Sequence, residues 1–230
     1  MSAAHPLVRM LTAFDARVSD LCAVLGDASL ELAPAGAADD APADAHAQAL
    51  RMQAARRIWF AAPVPLEAFI VPGNRIAIVA PELLRRLLAA RALFACRDAV
   101  RRCVDRHTRR ALLEGVGATA FAVLADTPAT DGGAADELPD DTSPDALARR
   151  GWQLIAAEGA CLNPTLRNVV ELSLASVSDE SSQAAGFTRP DTAQLGSVSS
   201  AGSTAAGRDD MNRFFTATGR MFPELQWLFG

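Results

Sequence analysis

Residues 81–124 read PELLRRLLAARALFACRDAVRRCVDRHTRRALLEGVGATAFAVL, and the fold turns on how their apolar positions are wound. Leu83, Leu84, Leu87, Leu88 and Phe94 share one helical face. At about 100° per residue, Leu93, Cys96, Val100, Cys103 and Val104 fall on the opposite side. A surface helix has a single apolar stripe. The stretch therefore either breaks near Ala92 or is sandwiched, burying different faces at its two ends. A third run, Leu112, Leu113, Val116, Ala120, Val123 and Leu124, lies on one face, with Asp105 or Thr108 placed to cap it. The segment is predicted to be a helical hairpin or triplet at the core.

Outward from this centre, the cleanest helix is near the N-terminus. Leu7, Leu11, Phe14, Val18, Leu21, Cys22 and Leu25 recur in steps of three and four. Pro6 suits its first turn, and Gly26 suits its end. A second helix is expected from Ala45 to Trp59, after which Pro63, Pro65, Pro72 and Gly73 impose extended or turning backbone. Arg75-Ile76-Ala77-Ile78-Val79 has the composition of a short strand, isolated because no partner strand is evident. Ser143-Pro144 opens a helix carrying Trp152, Leu154 and Ile155, and Asn163-Pro164 opens another through Leu166, Val169 and Val170. Asp209 or Asp210 is placed to cap a last helix that Pro223 must end, leaving Glu224 to Phe229 as a separate turn.

Three stretches offer little to bury: 27–44, 126–145 and 176–208, rich in Ala, Gly, Ser, Pro and Asp. The expected fold class is thus mainly α: an irregular, compact helical domain with two or three long low-complexity loops and at most that short isolated strand. The expected organisation is a helical domain over 1–175 with flexible loops at 27–44 and 126–145, a disordered linker over 176–208, and an aromatic C-terminal helix over 209–230 docking on the domain. For the tail itself, two readings stand: a self-docking core helix or a short partner-binding segment.

At 230 residues, half of them hydrophobic, the chain is long enough to bury a core. A formal net charge of -5 argues against a surface built throughout for nucleic acid or anionic lipid. All 22 basic residues are Arg, which reads as codon bias. No run approaches the length of about 20 apolar residues that a membrane-spanning helix needs. Arg9, Asp15, Arg17 and Asp20 interrupt what a cleaved export signal would keep apolar. Cys22, Cys96, Cys103 and Cys161 sit inside apolar patterns as small buried hydrophobes, which suits a reducing cytoplasm.

No catalytic set is apparent. His5, His46 and His107 lie in no recognisable hydrolase or metalloprotease motif, and Gly115-Val116-Gly117 lacks the strand and third glycine of a dinucleotide loop. Cys96, Cys103 and His107 would stack on one helical face, but a fourth ligand is missing and the surrounding arginines oppose a cation. The expectation is a non-enzyme with no cofactor and no metal. Ten arginines between Arg75 and Arg110, against Glu82, Asp98 and Asp105, leave three readings open: a protein interface, solvated helix faces with local ion pairs, or nucleic-acid binding, for which no aromatic ladder is present. The candidate interface residues are Arg85, Arg86, Arg97, Arg101, Arg102, Arg109, Trp227 and Phe229.

Val79-Ala80-Pro81-Glu82-Leu83, Leu87-Leu88, Arg91-Ala92-Leu93, Arg97, Arg101-Arg102-Cys103-Val104-Asp105, Arg109 and Leu112 to Gly117 resemble the central region of the SctK/YscK-type proteins of bacterial type III secretion systems. Gly151-Trp152 and the terminal Phe222-Pro223-Glu224-Leu225-Gln226-Trp227-Leu228-Phe229 are similar to the version in plant-pathogen and related proteobacterial systems. The resemblance spans residues 60 to 175 and the tail. It implies an accessory component of the sorting platform, cytoplasmic and peripheral to the inner membrane through protein partners. Its partners would be the cytoplasmic domain of the inner-membrane ring protein and the pod or C-ring-like protein that carries the ATPase complex. It implies no nucleic acid and no direct membrane insertion. A type III secretion chaperone or regulator, and a helical DNA-binding regulator, are the alternatives.

Overall fold

The computed structural model describes residues 5–28, 41–128, 137–178 and 205–230, and among them every regular element is a helix. Of the expected flexible stretches, most of 27–44 and of 176–208, and residues 129–136 of 126–145, lie outside the described residues. Their edges are helical, however. The first helix, α1, runs Pro6–Ala28, and α2 runs Ala41–Trp59, starting before Ala45 in an Ala-rich segment of high helix propensity. The contact pattern divides the chain into two compact units, Met1–Ala80 with Cys161–Ser173, and Pro81–Ala160 with Leu174–Gly230.

In the first unit α1 packs on α2 and on two 3-10 turns, Leu66–Ile70 and Pro72–Ile78. The apolar face expected of α1 is where the core forms, with Val18, Leu21, Cys22 and Leu25 buried and Phe14 edge-on to Phe69 at 5.3 Å. Leu11, placed on the same face, is partly exposed. The strand expected at Arg75–Val79 is instead a 3-10 turn. Without a neighbouring ladder the backbone bonds locally, Asn74 N–H to Val71 O and Val79 N–H to Ile76 O, each at 3.0 Å. Its apolar residues still serve the core, and Ile76, Ala77 and Ile78 are buried.

Side chains, most of them neutral, close this unit over long sequence distances, and the Arg17 guanidinium donates to the Ser173 hydroxyl at 2.8 Å. The Asn74 side chain donates to Ala68 O (2.8 Å) and accepts from the Cys161 N–H (2.6 Å). Asn163 donates to Pro63 O, the Thr165 hydroxyl to Ala62 O, and Asn168 to Trp59 O, at 2.6 to 2.8 Å. The start of α8 (Pro164–Ser178), where the Asn163 carbonyl accepts from the Thr165 N–H as the Asn-Pro pair predicts, thereby grips the Pro-rich chain after α2.

The second unit is built on α3 (Pro81–Ala95). Leu84 and every residue from Leu87 to Phe94 are buried, because α5, α6, α7 and α9 all pack against it. Both halves of the sequence alternative therefore hold: α3 is enclosed, and it ends at Ala95, with α4 (Arg97–Arg102) following after Cys96. Asp105 caps α5 (Arg106–Val116), accepting from the Thr108 N–H at 2.7 Å. The third run is split at Gly117, whose φ of 87° separates α5 from α6 (Ala118–Asp126). Ser143 and Pro144 start α7 (Pro144–Ala157), as expected. Helix α7 lies so close to α3 that a Cβ on Gly151 would stand 1.8 Å from the Leu88 carbonyl oxygen. Only glycine permits that approach.

Helix α9 (Ala205–Met221) begins before the expected cap, so Asp209 and Asp210 lie within it. Beyond Phe222 a 3-10 turn at Pro223–Leu225 and the short α10 (Gln226–Phe229) complete the chain. Phe214 packs edge-on to Phe94 (5.5 Å) and to Phe215 (5.3 Å), and Phe215 stacks on Phe229 at 5.2 Å. Met211, Met221, Phe222, Leu225 and Leu228 are buried with them.

Candidate protein-interaction site

The candidate arginines divide into those the fold encloses and those it presents. Arg97, 1% exposed, donates to Phe94 O (2.7 Å) and Pro128 O (3.0 Å) and pairs with Asp210 at 3.0 Å. Its guanidinium also stands 4.6 Å from the Phe94 ring centroid. It is an internal residue. Arg91, which sequence reasoning did not select, is enclosed beside it, 2% exposed, bonded to Glu158 at 2.8 Å and Asp210 at 3.1 Å. Two buried cations thus face two carboxylates drawn from α9 and from the end of α7, a balanced cluster in which each guanidinium has a charged partner. Burial raises the Glu158 carboxyl above its ordinary range, and the Arg91 charge offsets this only in part.

The only sequence signal for this cluster was an arginine within the unbroken apolar run Leu87–Phe94. Its partners were illegible, because Glu158 lies 67 residues from Arg91 and Asp210 lies 113 residues from Arg97.

Arg85 is half-enclosed and pairs with Asp145 at 3.2 Å. Arg86 is exposed and reaches the Val116 carbonyl oxygen at 3.4 Å. Gly117 joins α5 to α6 because its φ of 87° is one that L side chains rarely adopt. Arg101, Arg102 and Arg109 are exposed around the corner between α4 and α5. Arg101 faces Asp98 at 3.7 Å, and Arg109 lies over the Phe121 ring at 5.0 Å. Trp227 and Phe229 are half-buried in the aromatic tail. The structure thus leaves Arg101, Arg102 and Arg109 exposed on α4 and α5 and sets Arg97 in the interior with Asp210 as its partner.

At that corner the acidic residues are engaged locally. Asp98 pairs with Arg101, Glu114 with Arg110 at 2.9 Å, and the Asp105 carboxylate holds the α5 N-terminus. The hydrogen bonds from Thr108 keep the Asp105 carboxyl below its usual range. Val104, between α4 and α5, is 95% exposed. Elsewhere in this unit an open groove of about 770 Å³ is lined by Asp140, Asp141, Arg149 and Arg150, whose charges balance. A hydrogen bond from the Ser143 N–H lowers Asp141.

The remaining candidates do not converge. Cys96 is buried, Cys103 half-buried and His107 exposed, and among the described residues no three His, Cys, Asp or Glu side chains are placed to hold a metal. All four cysteines are free thiols. Burial raises Cys22 and Cys96 and pushes Cys161 up to about 12, so these three behave as buried hydrophobes. Among the described residues no helix is long and apolar enough to cross a membrane.

No curated protein and no solved structure matches the chain. A family model does, described as Bacterial type III secretion protein (HrpB4), across residues 2–198. The match takes in α1 and α2, which the resemblance over residues 60 to 175 had not reached, and stops short of α9 and the aromatic tail. The SctK-type resemblance is consistent with it. With a helical fold and most of the chain covered, the conclusion follows that this protein belongs to the HrpB4 family of bacterial type III secretion proteins.

Proposed function

We propose that the chain is a non-enzymatic adaptor of the type III secretion sorting platform. In this reading it links the cytoplasmic domain of the inner-membrane ring protein to the pod or C-ring-like protein that carries the ATPase complex. It acts by binding and turns over no substrate. Its place is the cytoplasm, held at the inner membrane by its partners.

The observation that carries this reading is the presence, in a secretion-family chain, of two compact units that each expose large apolar side chains and arginines. The first exposes single large apolar side chains, among them Leu162 (74%), Ile70 (65%) and Ile58 (58%). The second exposes Val104 (95%) together with Arg101, Arg102 and Arg109. Arginine is enriched where proteins meet, exposed apolar side chains add area to bury there, and two units that each present both suit two partners.

The test is an affinity pull-down of the tagged protein from the cytoplasm and membrane fraction of its native cell, with the recovered proteins identified by mass spectrometry. Recovery of ring, pod and ATPase components is expected. Recovery of an effector alone, with a dimer in light scattering, would replace the adaptor with a secretion chaperone. Recovery of DNA alone would replace it with a DNA-binding regulator.

A further inference from the structure

Two of the helices that cover α3 do so with different chemistry. Against α7 the contact is apolar and tight: Gly151 lies on the Leu88 backbone, and Leu147, Ala148 and Ile155 are buried, with the partly exposed pair Arg85–Asp145 beside them. Against α9 the contact is charged. Asp210 meets Arg97 at 3.0 Å and Arg91 at 3.1 Å. One turn on, Phe214 stands edge-on to Phe94 at 5.5 Å, with the Arg91 guanidinium 5.6 Å from its ring centroid. Asp210 and Phe214, four residues apart, share the face that α9 turns to α3.

The module that carries Asp210 also packs on itself. Phe215 stacks on Phe229 at 5.2 Å, and a Cβ on Gly219 would stand 3.0 Å from the Gly230 carbonyl oxygen, so α9 and α10 lie against each other. Residues 179–204 separate α9 from α8, so the module can leave its seat on α3 and α6 without displacing the helices before it.

Opening an apolar contact puts hydrocarbon into water. Opening a charged one puts ions into water, and the hydration they recover offsets much of the attraction that is lost. Arg97 would keep its bonds to Phe94 O and Pro128 O, and Arg91 its bond to Glu158, so neither cation is stranded when α9 departs. Phe94 and Phe214 must still be exposed, so the docked form dominates.

We propose that α9, the 3-10 turn at Pro223–Leu225 and α10 form a strap, latched by Asp210, that undocks from α3 and α6 as one body while α3 and α7 stay packed. Undocking uncovers Phe94 together with Arg91 and Arg97, the two arginines that are enclosed among the described residues. The fold thereby controls access to a cationic and aromatic surface, whichever partners the chain has.

The experiment is hydrogen exchange of the full chain, read by mass spectrometry under conditions where the rates report opening equilibria. In the wild type the amides of α9 and α10 should exchange at least about tenfold faster than those of α3 and α7. Ile155→Val, which leaves a small cavity in α7, should speed α3 and α7 severalfold and leave α9 and α10 as they are. Asp210→Asn keeps the shape of the side chain and removes its charge. It should speed α9 and α10 by a further factor of about ten, whereas the exposed neighbour, in Asp209→Asn, changes nothing. Equal rates for α9 and α3 in the wild type, or an equal gain in both from Ile155→Val, would mean that α9 opens only when the whole unit unfolds, and the strap is refuted. Exchange in Asp210→Asn no faster than in Asp209→Asn would refute the latch. The wild type and Ile155→Val decide the matter without Asp210→Asn if circular dichroism shows that variant to be unfolded.

Discussion

The two units close their long-range contacts by different chemistry. In the first, neutral amides and a hydroxyl do most of the joining, Asn74, Asn163, Thr165 and Asn168 reaching backbone groups far away in sequence, with Arg17 adding a bond to the Ser173 hydroxyl and Arg56 an exposed pair with Asp15. In the second, four charges do it, Arg91 and Arg97 against Asp210 and Glu158. Removing one partner of a buried neutral hydrogen bond costs about 1 to 3 kcal/mol. A buried charge is held only by its counter-charge, so removing one member strands the others. The contrast is therefore between a unit whose closure is shallow in energy but insensitive to conditions and one whose closure is steep and responsive to pH.

The sharpest way to break that contrast is Asp210→Ala. It leaves two enclosed guanidinium groups facing a single carboxylate, and a loss of about 3 to 5 kcal/mol is expected. Urea unfolding measures it, and hydrogen exchange should show α9 loosened. A loss below about 1 kcal/mol would mean the cluster does not hold the helix.

Next in size is Gly151→Ala. Its added Cβ must displace the Leu88 carbonyl, which it would meet at 1.8 Å, so α3 and α7 have to separate. Overpacking of this kind costs about 1 to 3 kcal/mol. A thermal midpoint unchanged from the wild type would show that the two helices have room to shift.

In the first unit Thr165→Val keeps the shape of a side chain that is 3% exposed but removes its bond to Ala62 O. The expected loss is about 1 to 2 kcal/mol by urea unfolding. A cost equal to that of Asp210→Ala would erase the distinction drawn between the units.

The smallest effect is the pH dependence. Glu158 titrates higher in the folded chain than in the unfolded one, where its value is 4.5. The folded state therefore binds the extra proton, and the contribution of Glu158 to stability is greatest below pH 4.5 and falls as pH rises through the folded value. Glu158→Gln should flatten that part of the stability curve while leaving the rest of the profile in place. A profile identical to the wild type would show that the carboxyl is not displaced.

Local signals carried the sequence reading far. The Ser143-Pro144 and Asn163-Pro164 starts, the Asp105 cap and the end of the last long helix at Pro223 each depend on a few neighbouring residues, and each is found in the structure. Arg75–Val79 forms a 3-10 turn and not a strand, because the apolar run Ile76-Ala77-Ile78-Val79 suits a buried extended segment and a buried 3-10 turn equally well. Periodicity cannot arbitrate over so few residues. The site was less legible than the fold. Arg97, Arg101 and Arg109 are indistinguishable as letters, yet one lies in the interior, one on an Asp and one on an aromatic ring.

The amino-acid sequence by itself determined that the chain is mainly helical, where α7 and α8 begin, and that a helix at its centre needs cover on more than one face. It could do so because capping, proline geometry and apolar spacing act within a turn or two of backbone. Only the tertiary structure decided which arginines are buried, that Asp210 is a counter-ion and not a cap, and that Val104 stands without an internal partner. Those outcomes depend on segments distant in sequence meeting in space, and a charge or a methyl group has no fixed role until its neighbours are known.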